Sequence, residues 1–280
     1  MSEAPTLPTV PFGDYQITRL ISGANPVCGL SHLSPEMDAD MKAYFSEQGA
    51  VSYFHDLERH GINTLQARGD FHRILHWREL FQREGGRLHW IGQVAPEMHD
   101  HFENIRVMAA AGAIGIYYHG TRTDNMWLAG EIDKVEDYLK YMRDLGIRVG
   151  LGTHMPVVIE YAEEKGWDLD FYMACFYNLS VKPRESGLVS GQGTVAAQEW
   201  FSEDDPPKMV ETIQRTDKQV LAFKILGATR RCATQETVRD AFRYAFDSIK
   251  PQDAVVVGMF PKYEDQIALN VQYTLEACAN

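Results

Sequence analysis

The chain has 280 residues, of which 45% are hydrophobic and 24% are charged. This is the composition of an ordinary globular protein, and it excludes a disordered, collagen-like or coiled-coil chain. The formal net charge of -12 disfavours nucleic acids and anionic membranes as main partners, because an acidic surface repels both. A small-molecule substrate is therefore the expected partner, and the sequence predicts no particular oligomeric state.

The four cysteines stand far apart and form no C-x-x-C pair, a pattern typical of a reducing compartment. The first 15 residues show neither the basic start nor the apolar core of a signal peptide. Nowhere does the sequence reach the run of roughly 18 apolar residues that a membrane span needs. We therefore expect a cytoplasmic protein in which residues 1–15 form a flexible N-terminal arm.

One pattern recurs about eight times along the chain: an amphipathic segment, a glycine, and a short run rich in β-branched and aromatic residues. The predicted strands cover residues 17–23, 62–67, 88–94, 114–118, 147–152, 169–176, 220–226 and 254–259. Amphipathic helices are predicted at residues 51–60, 71–83, 101–111, 134–145, 157–165, 234–249 and 263–277. This alternation predicts a single (β/α)8 TIM barrel over residues 1–280.

An open, doubly wound sheet is the competing architecture. Such a sheet normally carries a G-x-G-x-x-G turn after an early strand, and none follows the first predicted strand. The stretch 180–205 is rich in Gly, Ser and Glu, and it predicts a long loop inserted after the sixth strand. Barrels carry their substrate-binding loops on this side, and a loop of this length is typical of a lid or of a disordered segment.

Catalytic groups of a barrel lie where the strands end, at its carboxyl-terminal mouth. In this sequence an unusually polar set of residues follows the predicted strands. The set comprises Asn25, His32, Arg68, Asp70, His72, Gln93, His119, His154, Tyr177, Asn178 and Lys224. Side chains alternate along a strand between the barrel interior and the helix layer, so the pattern also predicts which of these residues point inwards.

On the seventh predicted strand, Leu221, Phe223 and Ile225 are expected to face the helices, which leaves Lys224 inside the barrel. Burying an ammonium group is costly, so an interior lysine indicates either a functional amine or an ion pair with a carboxylate. We favour the functional interpretation.

The fourth and fifth strands each end in a histidine. His119 shares its strand face with Tyr117, and His154 shares its face with Gly150 and Gly152, so both imidazoles are expected to point into the mouth. The alternative for each is a hydrogen-bonded packing residue. The polar turn after the second strand has a similar alternative, in which Asp70 only caps the next helix.

Two kinds of chemistry are compatible with these residues. Asp70, His72, His119 and His154 offer oxygen and nitrogen ligands for a divalent ion such as Zn, Mn, Fe or Ni. The second interpretation is a metal-free acid/base site built from the same residues together with Lys224. The spacing matches no established metal-binding motif, so both interpretations stay open.

Several local sequences resemble those of the aldo-keto reductases, over nearly the whole chain. YYHG at 117–120 resembles the segment that carries the active-site histidine of that family, and CFYN at 175–178 resembles its sixth-strand YN. VLAFKILGA at 220–228 is similar to its seventh-strand cofactor loop, and VVVGMFPKYEDQIALN at 255–270 to its final strand, turn and helix start. The resemblance implies a barrel, and it implies that Lys262, Gln266 and Asn270 hold the adenosine end of NADP.

Aldo-keto reductases use a catalytic tetrad of Asp, Tyr, Lys and His, and most of it is missing here. The second strand and the turn after it read NTLQARGDFH at 63–72 and lack the tyrosine, and Gln93 stands near the position of the lysine. Ala174 replaces a glutamine that contacts the nicotinamide, and GLGTHMP at 150–156 replaces a Ser-Asn pair. Of the four residues only His119 clearly persists, so we expect NADP binding to be weak or absent.

The leading prediction is a non-redox enzyme of the lyase, isomerase or hydrolase type, acting on a small polyhydroxylated or carbonyl-containing, sugar-like substrate. Aromatic residues near the polar mouth, such as Tyr117 and Trp127, favour a sugar-like ligand. The expected catalytic residues are Arg68, Asp70, His119, Tyr177 and Lys224. The alternatives are an NADPH-dependent reductase and a ligand-binding protein on a catalytically inactive barrel.

Overall fold

A computed structural model describes residues 6–69, 73–185 and 200–279. The barrel strands are β3 (Leu20–Gly23), β4 (Thr64–Arg68), β5 (His89–Gln93), β6 (Gly115–Tyr118), β7 (Arg148–Thr153), β8 (Phe171–Cys175), β9 (Gln219–Phe223) and β10 (Ala254–Gly258). A hairpin of β1 (Thr9–Phe12) and β2 (Tyr15–Thr18) precedes them. The helices are α1 (Pro35–Tyr44), α2 (Glu47–Arg59), α3 (Ile74–Arg83), α4 (His101–Ala110), α5 (Gly120–Leu128), α6 (Val135–Asp144), α7 (Pro156–Glu164), α8 (Asp205–Arg215), α9 (Gln235–Ser248) and α10 (Gln266–Cys278).

The eight strands from β3 to β10 close into a parallel barrel. Each strand pairs with its neighbour in the chain, and β10 returns to pair with β3, for example through Val256 and Ile21. Helices alternate with the strands along the chain and pack around the outside. The predicted (β/α)8 fold is therefore confirmed. Within the described part of the chain no helix is long and apolar enough to cross a membrane.

The barrel interior has its own apolar core, distinct from the core between strands and helices. Its buried members are Val10, Phe12, Ile17, Ile21, Ile91, Ile114, Tyr117, Phe171, Met173, Leu221, Ala254 and Val256. Gly150 makes room for the aromatic members, because a Cβ atom there would lie 2.3 Å from the Phe171 ring and 2.7 Å from the Tyr117 side chain. Large rings thus fill the interior up to the level at which the polar mouth begins.

The N-terminal segment differs from the expected flexible arm. Residues 9–18 form the β1–β2 hairpin, and Val10 and Phe12 are buried in the interior core. The predicted strand at 17–23 is in fact two strands, and Arg19 separates them. Its guanidinium donates hydrogen bonds to the carbonyls of Asp253 (2.9 Å) and Lys250 (3.2 Å) on the loop before β10. The arm is therefore corrected for residues 9–15, and residues 1–5 lie outside the described ranges.

The side chains of the seventh barrel strand, β9, face the opposite way from the prediction. Leu221 belongs to the interior core, whereas Ala222 packs in the core beneath the helices. The register explains this orientation, because Leu221 pairs with Met173 and Ala254, which are both interior residues. The strand ends at Phe223, and Lys224 has a φ of +59°, so the alternation expected of a strand does not extend to this lysine.

The predicted insertion at 180–205 is described only at its two ends. Residues 180–185 follow β8, residues 200–204 lead into α8, and residues 186–199 lie outside the described ranges. Helix α5, which the sequence did not predict, occupies the neighbouring loop after β6. Its sequence GTRTDNMWL is largely polar, yet Gly120, Thr121, Thr123 and Asp124 are buried. Tertiary contacts at the mouth, more than amphipathic periodicity, account for this helix.

Candidate active site

His119 and His154 lie at the carboxyl-terminal mouth of the barrel. His119 directly follows β6 and is the N-cap of α5, and His154 directly follows β7. Both side chains are buried, with exposed fractions of 9% and 4%. The ring of His154 also packs edge-on against that of Phe223, with centroids 5.4 Å apart, at the end of β9. The ends of three strands thus contribute to one polar site.

His154 is held by Asp124, a fully buried carboxylate on α5. Nδ1 of the imidazole lies 2.7 Å from Oδ2 of Asp124, and the backbone N–H of His154 donates to the same oxygen at 3.2 Å. The hydroxyl of Ser180 donates to Oδ2 at 2.6 Å, and the hydroxyl of Thr153 donates to Oδ1. Because a carboxylate oxygen accepts hydrogen bonds, Nδ1 of His154 is the donor in this contact and carries the proton.

The other ring nitrogen of His154 faces a cation. Nη2 of Arg184 lies 3.1 Å from Nε2, and a guanidinium can only donate hydrogen bonds, so Nε2 accepts and the ring is neutral. Burial lowers the pKa of His154 to about 4, and the charge of Arg184 adds to this effect, while Asp124 acts in the opposite direction. The imidazole is thus a neutral hydrogen-bond acceptor at Nε2.

His119 has the opposite tautomer. The backbone N–H of Arg122 donates to its Nδ1 at 3.4 Å, as a helix N-cap requires, so the proton of the neutral ring is on Nε2. Burial holds the pKa of His119 well below its ordinary value, and the charges of Arg68, Arg184 and Arg122 and the neighbouring His154 lower it further. The site therefore pairs one neutral imidazole that accepts at Nε2 with one that donates there.

Positive charge is concentrated around the two imidazoles, although the chain as a whole carries a net charge of -12. The cationic side chains that act on them are Arg68, Arg122, Arg184 and Lys224. Arg68 forms an ion pair with Glu97, and Arg122 lies 3.8 Å from Glu185 and donates to the carbonyl of Pro96. Such a cluster favours anionic ligands over cationic ones.

Helix α5 also fixes the segment that carries Arg184. The side-chain amide of Asn125 donates to the carbonyl of Arg184 at 2.7 Å, and its oxygen accepts from the N–H of Arg184 at 3.2 Å. The adjacent Asp124 holds Ser180 in the same segment. One turn of α5 thus organises both His154 and the loop after β8.

Lys224 and Tyr177 are two further residues that were predicted to be at the site. Lys224 is near His154 and its Nζ is buried, although not through the strand alternation that predicted it. Tyr177 packs against Phe201, with ring centroids 5.2 Å apart, and lines a cavity of about 360 Å³ between α8 and α9. Neither imidazole lines that cavity. The structure therefore brings Lys224, but not Tyr177, to the histidines.

The residues expected to bind NADP follow β10. Lys262 forms an ion pair with Asp40 of α1, and Oε1 of Gln266 accepts the backbone N–H of Phe260 at 2.8 Å. Asn270 is buried, one helical turn further along α10. These contacts give two of the three side chains a structural role in the loop after β10. NADP binding stays a prediction.

Only part of the predicted metal-binding set is described. Of the four predicted ligands, Asp70 and His72 lie outside the described residues, and His119 and His154 are at the mouth. Arg68, a predicted catalytic residue, is also there. Within the ranges that the structure describes, no three His, Cys, Asp or Glu side chains are grouped so as to hold a metal ion. The arginines around the imidazoles also disfavour a further cation on electrostatic grounds. Metal binding stays a prediction.

Sequence reasoning missed Asp124, Asn125, Arg122 and Arg184. The one available signal was the run TRTDN at 121–125, which is entirely polar and follows the strand-end His119 after a single glycine. A polar run in that position is typical of residues that face a site rather than a core. Arg184 carried no comparable signal, because its role depends on how the loop after β8 folds back.

No protein-family model matches the chain, and no curated protein matches it. Among solved structures, a truncated 3-deoxy-D-arabino-heptulosonate 7-phosphate synthase from Thermotoga maritima aligns with a TM-score of 0.56 and 14% identity, over 98% of this chain and 92% of that chain. N-acetylmannosamine-6-phosphate 2-epimerase from Clostridium perfringens aligns with a TM-score of 0.50 and 12% identity, over 93% and 91%. Glycerol dehydrogenase AKR11B4 from Gluconobacter oxydans aligns with a TM-score of 0.49 and 12% identity, over 95% and 94%.

These likenesses show the TIM-barrel fold. All of them are below 25% identity, so they show the fold alone and do not specifically support membership of the aldo-keto reductases. The barrel is shared by enzymes of many reaction types, and the reaction has to be argued from the site itself.

Proposed function

We propose that this protein is a non-redox enzyme of the lyase or isomerase type that moves a proton at a carbon next to a carbonyl group. The observation that carries the proposal is the pair of buried, neutral imidazoles with opposite tautomers: His154 accepts at Nε2, and His119 donates from Nε2. A base and a hydrogen-bond donor that meet at one mouth are the two groups that such a reaction needs.

In this mechanism Nε2 of His154 takes the proton from the carbon beside the carbonyl, and the electron pair of that C–H bond forms an enolate. Asp124 stabilises the resulting imidazolium through Nδ1. The Nε2–H of His119 donates to the enolate oxygen, a role in which a neutral imidazole at a helix N-terminus is effective. Return of the proton to the same carbon restores the substrate, with exchange against solvent hydrogen. When His119 gives its Nε2 proton to the former carbonyl oxygen and takes the proton of the neighbouring hydroxyl, return of the His154 proton to the former carbonyl carbon gives an isomer.

A lyase outcome needs only one further step from the same enolate. Its electron pair expels a hydroxide from the next carbon, and the proton on the His154 imidazolium converts that hydroxide to water. The substrate is therefore a small carbonyl compound with neighbouring hydroxyl groups. Arg68 and Lys224 contribute positive charge that stabilises the enolate. No step requires a metal ion, so we favour the metal-free interpretation of this site.

The test is hydrogen exchange at carbon. The protein is incubated in D2O with a panel of aldoses, ketoses and 2-keto acids, with and without phosphate groups, and proton NMR follows deuterium incorporation and new products. We expect exchange with at least one compound, and a loss of about 10² to 10⁴-fold in H154Q. His60, which lies on the surface at the end of α2, provides the matched control H60Q.

Activity that disappears on treatment with a chelator and returns with a divalent ion would replace the metal-free mechanism by the metal-dependent one. Absence of exchange across the panel, together with carbonyl-dependent oxidation of NADPH, would contradict the proposal and favour a reductase. Equal rates in H154Q and the unmodified protein would place the chemistry elsewhere in the molecule.

A further inference from the structure

In this structure the proposed base is covered. Nε2 is the nitrogen of His154 that can accept a proton from a substrate, and Nη2 of Arg184 lies 3.1 Å from it. Nδ1 is held by Asp124 at 2.7 Å, so the ring cannot turn to offer its other nitrogen without breaking that contact. Proton abstraction at Nε2 therefore requires the guanidinium to move.

The backbone at Arg184 is fixed, so the movement belongs to the side chain. Asn125 bonds both the N–H and the carbonyl of Arg184, and Ser180 is tied to Asp124. An arginine side chain has several rotatable bonds, and its head group can change partner while the backbone stays in place. The loop thus positions Arg184 at the edge of the site and leaves the guanidinium a choice of partners.

We infer that Arg184 binds an anionic group of the substrate, a carboxylate or a phosphate, and that this contact draws the guanidinium off Nε2 and uncovers the base. The inference rests on the proposed function, and it adds a substrate class and a specificity-determining residue. The substrate would then remove the group that blocks its own reaction.

The energetics favour the exchange of partners. A guanidinium forms two parallel, charge-assisted hydrogen bonds with a carboxylate or phosphate, and such a pair is stronger than a hydrogen bond from a guanidinium to a neutral imidazole. Arg122 and Arg68 lie close enough to influence His119, so an anion at this mouth meets positive charge from more than one direction. Glu97 lies against Arg68 and Glu185 lies near Arg122, while Arg184 and Lys224 act on His154.

The exchange also prepares His154 for catalysis. The groups that act on its ring are Asp124 from α5, Arg184 from the loop after β8, Lys224 from the loop after β9, and His119 at the end of β6. Departure of the guanidinium and arrival of an anion both favour the protonated ring that forms when His154 takes a proton.

The experiment uses inorganic phosphate and acetate as probes, because each carries one of the two anion chemistries without a reacting carbon. Calorimetry measures binding, and NMR titration of the histidine ring nitrogens measures the pKa of His154, in the unmodified protein and in R184M and R184K. Arg106 on α4 pairs only with Glu103 at the surface in its described contacts, so R106M is the matched control. Sodium chloride at equal ionic strength controls for screening.

We expect at least one probe to bind, with a rise of one unit or more in the pKa of His154. R184M should bind that probe at least tenfold more weakly, and the pKa of its His154 should be raised before any probe is added. R184K keeps the charge but cannot form the bidentate hydrogen bonds of a guanidinium, so it should bind the probe with intermediate affinity. If R184M does not fold, R184K is compared with the unmodified protein in its place. R106M should match the unmodified protein.

Equal binding in R184M and the unmodified protein, or a His154 titration that neither probe alters, would overturn the inference. Its failure is distinguishable from failure of the proposed function. Exchange at carbon that proceeds equally well with uncharged sugars and in R184M would keep the reaction and remove the role of Arg184. Anion binding that depends on Arg184, with no exchange on any compound, would keep the anion site and remove the reaction.

Discussion

At the scale of single residues, Asp124 determines which nitrogen of His154 carries the proton. In D124N the amide can donate to Nδ1, which moves the proton to Nε2 and removes the acceptor. We expect turnover of any substrate found by deuterium exchange to fall at least about a hundredfold, as when the orienting carboxylate of a histidine is lost. The variant S180A removes only the hydroxyl that donates to Asp124 at 2.6 Å, so it should lose less than about tenfold. Similar activity in D124N and the unmodified protein would contradict this role.

The low pKa of His154 also predicts how stability depends on pH. Between 6.5 and about 4 the unfolded chain binds a proton at this residue and the folded chain does not. The free energy of unfolding therefore falls as the pH falls through this window, by about 1.4 kcal/mol per pH unit for this one group. Urea denaturation at several pH values should show a shallower dependence in H154Q. Parallel curves for the two proteins would contradict the prediction.

The sequence predicted some of the residues at the mouth and not others. His119 and His154 follow strands directly, so their positions were predictable from strand alternation. Asp124 and Arg184 reach the site from a helix and a loop, and periodicity does not describe how these return to the barrel. Lys224 was placed inwards for the wrong reason, because its positive φ lies beyond the end of the strand.

At the scale of elements, the β1–β2 hairpin is part of the barrel core. The Phe12 ring is fully buried against Phe171, with centroids 5.1 Å apart, and the Arg148 guanidinium lies 4.6 Å from its centroid. We expect F12A to lose about 3–5 kcal/mol of unfolding free energy, measured by denaturant titration. Y15A, at a half-exposed position of the same hairpin, should lose about 1 kcal/mol or less. Equal losses would mean that the hairpin lies on the surface only.

The amphipathic helices were predictable because one face of each is buried, which imposes a period of about 3.6 residues. The barrel strands are buried on both faces, so they read as short apolar runs between turn residues. The hairpin and α5 lacked that signal. TVPF at 9–12 contains a proline and is only four residues long, and TRTDN at 121–125 is polar because its inward face meets the site rather than the core. Periodicity therefore misses very short strands as well as polar elements that serve the mouth.

At the scale of the whole molecule, the expectation about NADPH can be stated as a measurement. Lys262 and Gln266 are engaged with Asp40 and with the Phe260 backbone, and Gln93 and Ala174 lack the chemistry of the residues that they replace. We expect a fluorescence titration to give a dissociation constant for NADPH weaker than about 100 μM, towards the weak end of the range of roughly 1 μM to 1 mM that KM values span. Micromolar binding with carbonyl-dependent oxidation would contradict this.

Because the hairpin packs Val10, Phe12 and Ile17 into the amino-terminal end of the barrel, the mouth is the route by which molecules reach the imidazoles. Substrate and product then share one doorway, and a departing product must clear it before the next substrate arrives. Product should consequently compete with substrate in steady-state kinetics. A long polymer would enter such a blind-ended site by its terminus, so any action on a chain would proceed from the end and not from the middle.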